Sequence, residues 1–564
     1  MEKLRSKETG RRVLVIGLDG GTFRILEPLA QKGKIPNLKR LMEQGFKAEL
    51  LSTVPPISAP AWTTFITGKN PGKHGILHFV ALKPEESSED GVEIFPGGFS
   101  LVNSRRIKER TLWQIVGEAG KKVGVINVPI CYPPSEVNGF MICGMLTPPG
   151  AVHFTYPPEL ADRLGEYEID LDLEEKEYDF PQETVVERLA ELMQKRAKAT
   201  SRLMREQPWD FFIVVFTETD RLHHRFWKSL DPRDPDYESP QVQRYRVLVE
   251  GFYEKMDLAI GELVEEVGQE AVVIVMSDHG FGPYAQRRVF KYVLMRELGL
   301  AGPASRALVP LLRDFMERRL GLSRGQVYRY MRKVLPRKWF RALDRRLRTQ
   351  ERLAWSKGKA FVVTVSQSIG GIYVNRPRLG SEEEYEKFLQ GLTERLLELR
   401  DPENGQNIVL EVMRKEQLYH GSALDEIPDL LFFLAPGYGL SRGVGRQGTL
   451  VGQSLEKRRR QGTHRREGIL FMRGPEIQKS KDEERFELAD LTVTILYALD
   501  LPIPDDMDGR VIRQAFLPSF FEENPPRFCG PPPPEEPEGQ ESFWESGEDK
   551  EAIRKRLAGL GYLD

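Results

Sequence analysis

Apolar residues follow two rhythms along this chain. Short unbroken runs, VLVIGL, KKVGVINVPI, FFIVVF and AVVIVM, alternate with stretches such as TVVERLAELMQKRAKATSRLMRE, in which apolar positions recur every three or four residues. The first pattern suits strands buried on both faces, and the second suits helices with one apolar face. Strands alternating with helices predict a doubly wound, mostly parallel α/β sheet flanked by helices. Each run stops at polar or acidic residues: Asp19 after the first, Asp220 after FFIVVFTET, Asp278 and His279 after AVVIVMS. Open α/β sheets bind ligands beyond the carboxyl ends of their strands, so chemistry is expected at these ends.

The rhythm divides the chain. Residues 11–303 and 356–523 read as two parts of one catalytic α/β core, with strand patterns resuming in KAFVVTVSQSIGGIYVN and DLLFFLAPGYGL and an amphipathic helix in FELADLTVTILYALDLPIP. Residues 304–355 between them are strongly basic, with leucines and aromatics at helical spacing, and predict a helical insertion. A solvated cap with an apolar face toward the body is the plainer reading, and a lid or a surface for an anionic partner the sharper one. Residues 524–564 begin as a Pro/Glu-rich linker with little capacity to bury a core and end in a short helix able to dock on the body.

Composition narrows the classes. The 564 residues carry a formal net charge of -2, which offers no global attraction to nucleic acid or anionic membranes. Cys131, Cys143 and Cys529 lack CxxC spacing, so buried free thiols are expected, with a Cys131–Cys143 disulfide open only to an oxidising compartment. No apolar run approaches the roughly 18 residues of a membrane span, and a soluble cytoplasmic protein is expected.

The stretch from Ser52 to Ile76, STVPPISAPAWTTFITGKNPGKHGI, crowds hydroxyl side chains around prolines and a histidine. A hydroxyl is a poor nucleophile at neutral pH unless a base or a metal removes its proton. Partners lie elsewhere, in Asp19, in Asp220 with His223 and His224, in Asp278-His279, and in His464. Imidazole and carboxylate ligands suit zinc, and manganese fits the same set. Two ions about 3.5–4 Å apart can hold the attacking and leaving oxygens of a displacement at phosphorus. Ser58 followed by Pro60 is by itself an ordinary N-cap, and Thr63, Thr64 and Thr67 fit local hydrogen bonding in the helix after it.

IGLDG, the phrase Thr67-Gly68-Lys69-Asn70-Pro71-Gly72-Lys73-His74-Gly75-Ile76, Asp220 with His224, Ser277-Asp278-His279-Gly280 and Gly462-Thr463-His464 occur in that order. The set resembles the alkaline phosphatase superfamily, and within it the type I phosphodiesterase/nucleotide pyrophosphatase branch and the related predicted phosphohydrolase/phosphomutase group. The resemblance implies an alkaline-phosphatase-like α/β fold and metal-dependent hydrolysis of a small phosphorylated substrate, a nucleotide among the candidates. The branch's nucleophile stands ten residues before the glycine of the TG pair, which is Ser58. By the same resemblance Asp19, Ser58, Asp278 and His279 hold one ion and Asp220, His224 and His464 the other, most simply two Zn2+, and Ser58 forms a phosphoserine intermediate. His223 competes with His224 only if the register shifts by one, and His74 and His78 read as packing or supporting residues.

Two departures matter. Trp62 stands where a sulfatase motif has arginine, which argues against sulfatase action. Phe79 replaces the asparagine of an HGIxxN motif that steadies a phosphate oxygen, and Asn103 and Arg105 are candidate substitutes. The rival readings are a phosphomutase of the same superfamily and a non-catalytic protein holding an anionic ligand through the basic insertion.

Overall fold

The computed structural model describes residues 11–82, 99–170, 181–300, 358–441, 449–453, 460–480, 484–531 and 547–559. The basic 304–355 segment therefore lies outside the described residues, as does much of the Pro/Glu-rich linker. The fold is α/β, built on a nine-stranded sheet. Its strands are β1 (Val13–Leu18), β2 (Phe46–Leu51), β3 (Val123–Ile126), β4 (Gly139–Ile142), β5 (Thr155–Tyr156), β6 (Phe211–Phe216), β7 (Val272–Met276), then, beyond two short strands β8 (Gly280–Pro283) and β9 (Gly462–Arg465), β10 (Glu467–Arg473) and β11 (Arg485–Glu487). The order across the sheet is β11-β2-β10-β7-β1-β6-β3-β4-β5. The central strands β7, β1, β6, β3 and β4 pair in parallel, while β10 runs antiparallel between β2 and β7.

Alternation along β1 shows why its run is continuously apolar. Val13 and Val15 face one core with Trp62 and Phe65 of helix α1 (Ser58–Thr67) and Leu491 and Ile495 of a helix at Leu488–Ala498. Leu14, Ile16 and Leu18 face the other, against Leu189 and Met193 of α2 (Gln182–Glu206) and Phe252 and Met256 of a helix at Pro240–Val267. A strand with helices on both faces has no polar side to present. The helix Gly547–Gly559 packs on the body, with Ile553 and Leu557 fully buried in the first core.

A second, antiparallel sheet carries Ala360–Thr364, Ile369–Val374, Leu430–Leu434 and Val409–Arg414, in that order, with a separate hydrophobic cluster that includes Leu389 and Leu392 of the helix Glu382–Glu398. It meets the main body where Val365 and Ile369 pack with Val54, four residues before Ser58. The cysteines are free, but only Cys131 and Cys143 are buried. Cys529 is exposed, contrary to the expectation of buried thiols, because its two-residue strand pairs with Ile503–Pro504 at the surface.

Candidate functional site

The site grows from the ends of β1, β6 and β7. After Leu18 the chain enters Asp19 and then Gly20, whose φ of 69° belongs to the left-handed region that glycine adopts without strain. That turn lets the Gly20 N–H donate to Asp278 Oδ1 at 3.2 Å, and it leaves no room for a side chain beside Phe281. The Thr219 hydroxyl donates to the Asp19 carbonyl at 2.6 Å, tying the end of β1 to that of β6. Gly280 to Arg465 and Phe281 to His464 are partners in the β8–β9 ladder, which carries His464 to the same place.

Ser58 is the first residue of its helix, with Ile57 in extended conformation as the cap. The expectation that Ser58 itself caps a helix beginning at Pro60 is thus corrected. Its hydroxyl is directed elsewhere, 3.3 Å from Asp19 Oδ1 and 3.2 Å from His279 Nε2. One turn on, the Trp62 indole N–H donates to Asp19 Oδ2 at 3.0 Å. Trp62 entered the sequence reading only as a missing arginine; its spacing of four from Ser58, which puts both on one helix face, was the signal. Thr63 and Thr67 donate to the carbonyls four residues back, as mid-helix threonines do.

Two groups of possible metal ligands emerge among the described residues, Asp19, Asp278 and His279, and Asp220, His224 and His464, the ligand atoms of each lying within 4.8 Å of one another. Asp19, Ser58, Asp220, Asp278 and His279 are completely buried. The two groups meet at the His279 and His464 rings, stacked with centroids 3.9 Å apart. Arg221, beside Asp220, forms a buried ion pair with Asp170 that anchors this turn.

The imidazole partners decide which nitrogens are available. Nδ1 of His224, His464 and His279 faces the carbonyl of Gly462 at 3.0 Å, Pro56 at 3.1 Å and Gly280 at 3.1 Å respectively. A carbonyl only accepts, so each Nδ1 carries the proton and each Nε2 presents a lone pair. The Nε2 atoms of His224 and His464 then face each other at 3.0 Å, with Asp220 Oδ1 3.0 Å from the latter. In the other group Asp278 Oδ2 is buried without a hydrogen-bond donor. Converging lone pairs and an orphaned carboxylate oxygen are repulsive alone and satisfied by a cation, so the donor set fits divalent metal.

Electrostatics agree. Burial and then the Asp278 and Asp220 charges push the Asp19 carboxyl up, and burial raises Asp278 against the opposing Gly20 amide. Burial also opposes ionisation of Asp220, and the surrounding imidazoles, His224 foremost, pull it well below the usual range only in their protonated form. Burial lowers His224 to about 3 and His279 well below its ordinary value, keeping both neutral as ligands must be. Bound cations would relieve the strain on the two raised carboxyls.

His223 stays out of the groups, its ring nitrogens engaged by the Gly20 carbonyl and the Tyr253 hydroxyl. Phe79 is buried in the first core. Asn103 turns its side-chain oxygen onto the Arg105 amide at 3.1 Å, capping its own turn, and Arg105 is exposed.

His74 is a structural latch: its Nδ1 accepts from the Ile76 N–H at 3.2 Å, and its Nε2 meets the Thr64 hydroxyl at 3.1 Å. Burial lowers it to about 3. Below the ordinary value of about 6.5 the unfolded chain takes up a proton that the folded chain refuses until about 3. Stability contributed by neutral His74 is therefore complete above that ordinary value and lost as pH falls toward about 3. Denaturant titrations should show a drop between pH 7 and pH 5 that is smaller in His74→Gln by about 2 kcal/mol.

A large, mostly parallel sheet with acidic and histidine side chains converging at its carboxyl edge is the architecture of alkaline-phosphatase-like hydrolases. The family model for type I phosphodiesterase / nucleotide pyrophosphatase matches residues 13–465, and the chain belongs to that family of metal-dependent phosphoric ester hydrolases. Among solved structures, phosphonoacetate hydrolase from Sinorhizobium meliloti 1021, in complex with phosphonoformate or phosphonoacetate, is similar at 16% identity and TM-score 0.50, over 87% of this chain and 95% of that one. Human ectonucleotide pyrophosphatase / phosphodiesterase 5 is similar at 12% identity and TM-score 0.46, with the same coverages of 87% and 95%. No curated protein sequence matches significantly. No helix among the described residues is long and apolar enough to cross a membrane.

Proposed function

We propose that this protein cleaves a phosphoric ester of a small phosphorylated compound through a phosphoserine on Ser58, with two divalent ions, most simply Zn2+. Asp19, Ser58, Asp278 and His279 hold one ion and Asp220, His224 and His464 the other. The observation carrying this reading is the convergence of Ser58 with two three-residue groups whose Nε2 lone pairs and orphaned carboxylate oxygen call for cations.

The ions would lower the pKa of hydroxyl and water and neutralise charge developing on the phosphoryl oxygens. The chain's own residues do the rest. Asp19 accepts the Ser58 hydrogen bond and is fixed by the Trp62 indole, so Oγ is aimed before substrate arrives. Oγ bonds to phosphorus as the bond to the leaving alcohol breaks, and water then cleaves the phosphoserine and restores the hydroxyl. The group of Asp220, His224 and His464, across the stacked rings, would serve the leaving oxygen in the first step and the water in the second. Neutral His224 and His279 carry no proton on Nε2 that a cation would have to displace at neutral pH.

The test is metal content together with hydrolysis of p-nitrophenyl phosphate and bis-p-nitrophenyl phosphate before and after chelation. About two ions per chain are expected, with activity lost on chelation and restored by Zn2+ or Mn2+. The preferred ester then separates monoesterase from diesterase, and full activity in the presence of chelator would sink the metal requirement.

A further inference from the structure

Arg288 is 93% buried in a strand, Arg287–Phe290, that follows the turn after β8, yet its Nε and Nη1 have no hydrogen-bond partner. Its neighbour Arg287 points to the other face and is paired with Asp401 and Glu403. Arg288 instead lies over the Tyr284 ring, its guanidinium carbon 5.1 Å from the centroid. Gly439, its partner in the parallel pairing with Tyr438–Ser441, marks what else is there: a side-chain carbon built on this glycine would lie 2.9 Å from Arg288 Nη1 and 2.9 Å from Gln367 Cγ. Gln367 Nε2 is also buried without a partner. Arg288, from its strand, and Gln367, from the turn between two strands of the second sheet, thus approach Gly439 with buried, unpaired N–H donors, one of them permanently charged.

Buried donors are left unpaired at a cost, and a guanidinium is the side chain best shaped to grip a carboxylate or phosphate with paired hydrogen bonds. Glycine at position 439 is what lets Arg288 and Gln367 both reach this point, since any side chain there would press on both. The surroundings also connect it to the candidate site. The Gln367 loop is held by the Leu440 amide, which donates to the Gln367 carbonyl at 2.8 Å, and its neighbour Val365 packs with Val54 in the loop leading to Ser58. On the other side the Tyr284 amide donates to the Gln461 carbonyl, and the Gln461 amide to the carbonyl of His224.

We propose that Arg288 and Gln367 form an anion subsite that receives a second acidic group of the substrate, a carboxylate or a phosphate, carried on the part of the molecule away from the scissile phosphorus. This rests on the proposed phosphoric ester hydrolysis and narrows its substrate class to esters with two anionic centres. Arg288 and Gln367 are specificity residues here, with no part in bond cleavage.

Three synthetic diesters decide it: p-nitrophenyl ethyl phosphate, its 2-carboxyethyl analogue and its 2-phosphoethyl analogue, each assayed with the metal-loaded native protein, Arg288→Gln and Gln367→Ala. The native protein should prefer one of the doubly anionic esters in kcat/KM, and whichever it is identifies the group. That preference, taken as a ratio to the ethyl ester, should fall by about tenfold to a hundredfold in Arg288→Gln and by a smaller factor in Gln367→Ala. No preference in the native protein, or a ratio unchanged in both variants, overturns the subsite; if Arg288→Gln fails to fold, Gln367→Ala decides. If none of the three esters is cleaved, the hydrolase reading itself has failed, and calorimetric titration with inorganic phosphate then judges the subsite separately. A binding event present in the native protein and lost in Arg288→Gln supports it, and identical titrations refute it.

Discussion

Ser58→Ala is expected to cut hydrolysis of the preferred ester by about a thousandfold or more while metal content stays near the native value. The size follows from the role. A nucleophile that becomes covalently attached to phosphorus cannot be replaced by a neighbour, and among the described residues the hydroxyls of Thr63 and Thr67 are turned onto backbone carbonyls. The metal is expected to remain because Asp19, Asp278 and His279 still converge in the variant. Ser58 is also buried, with its hydroxyl beside Asp19 and His279, and removing one oxygen leaves the surrounding apolar packing in place. A variant that loses metal along with activity would assign Ser58 a ligand role that the neighbouring carboxylates cannot cover. Steady-state kinetics with metal analysis on the same preparation separates the two.

Asp220→Asn should be comparably damaging for a different reason. Asp220 is the anionic member of its group, with His464 Nε2 at 3.0 Å and His224 Nε2 at 3.5 Å. Without it, two neutral imidazoles must hold a divalent ion alone, and their affinity falls because no ligand charge remains to offset that of the metal. About one ion per chain is expected instead of two, with activity down by about a thousandfold and partly recovered at high metal concentration. Metal that binds the native state alone stabilises it by RT ln(1 + [L]/Kd), about 4 kcal/mol at a thousandfold excess over Kd. The native protein should therefore melt higher with added Zn2+ than Asp220→Asn does, and equal metal-dependent shifts in both would remove Asp220 from the ligand set.

Much of the fold could be read from the sequence because the central strands are buried on both faces and announce themselves as unbroken apolar runs. Their ends, Asp19, Asp220 and Asp278, follow directly from the rule that α/β sheets present ligands beyond their strand termini. His464 stood out in the sequence as one of the candidate partners, but its place beside Asp220 and His224 came through resemblance alone, since its strand forms a two-stranded ladder with Gly280–Pro283 across nearly two hundred residues of chain. The choice of His224 over His223 also came from family spacing; in the structure it reflects the helical turn that points His223 at Tyr253.

The start of the helix at Ser58 was misjudged because Pro60 is a strong start signal, whereas the extended Ile57 and the pull of Asp19 and His279 on the hydroxyl are tertiary facts. Arg288 and Gln367 were invisible for the same reason: an arginine within PYAQRRVF carries no local sign of which face its side chain takes, and only pairing with Tyr438–Ser441 brings it beside Gln367. The role of Trp62 as the clamp on Asp19 likewise needs the strand and the helix assembled.

The most direct test of the phosphoserine is stereochemical. A p-nitrophenyl phosphorothioate diester of one configuration at phosphorus is hydrolysed in isotopically labelled water, and the configuration of the product is determined. Two successive in-line displacements, first by Ser58 and then by water, predict net retention. Inversion would mean a single direct attack by water and would contradict the covalent role given to Ser58.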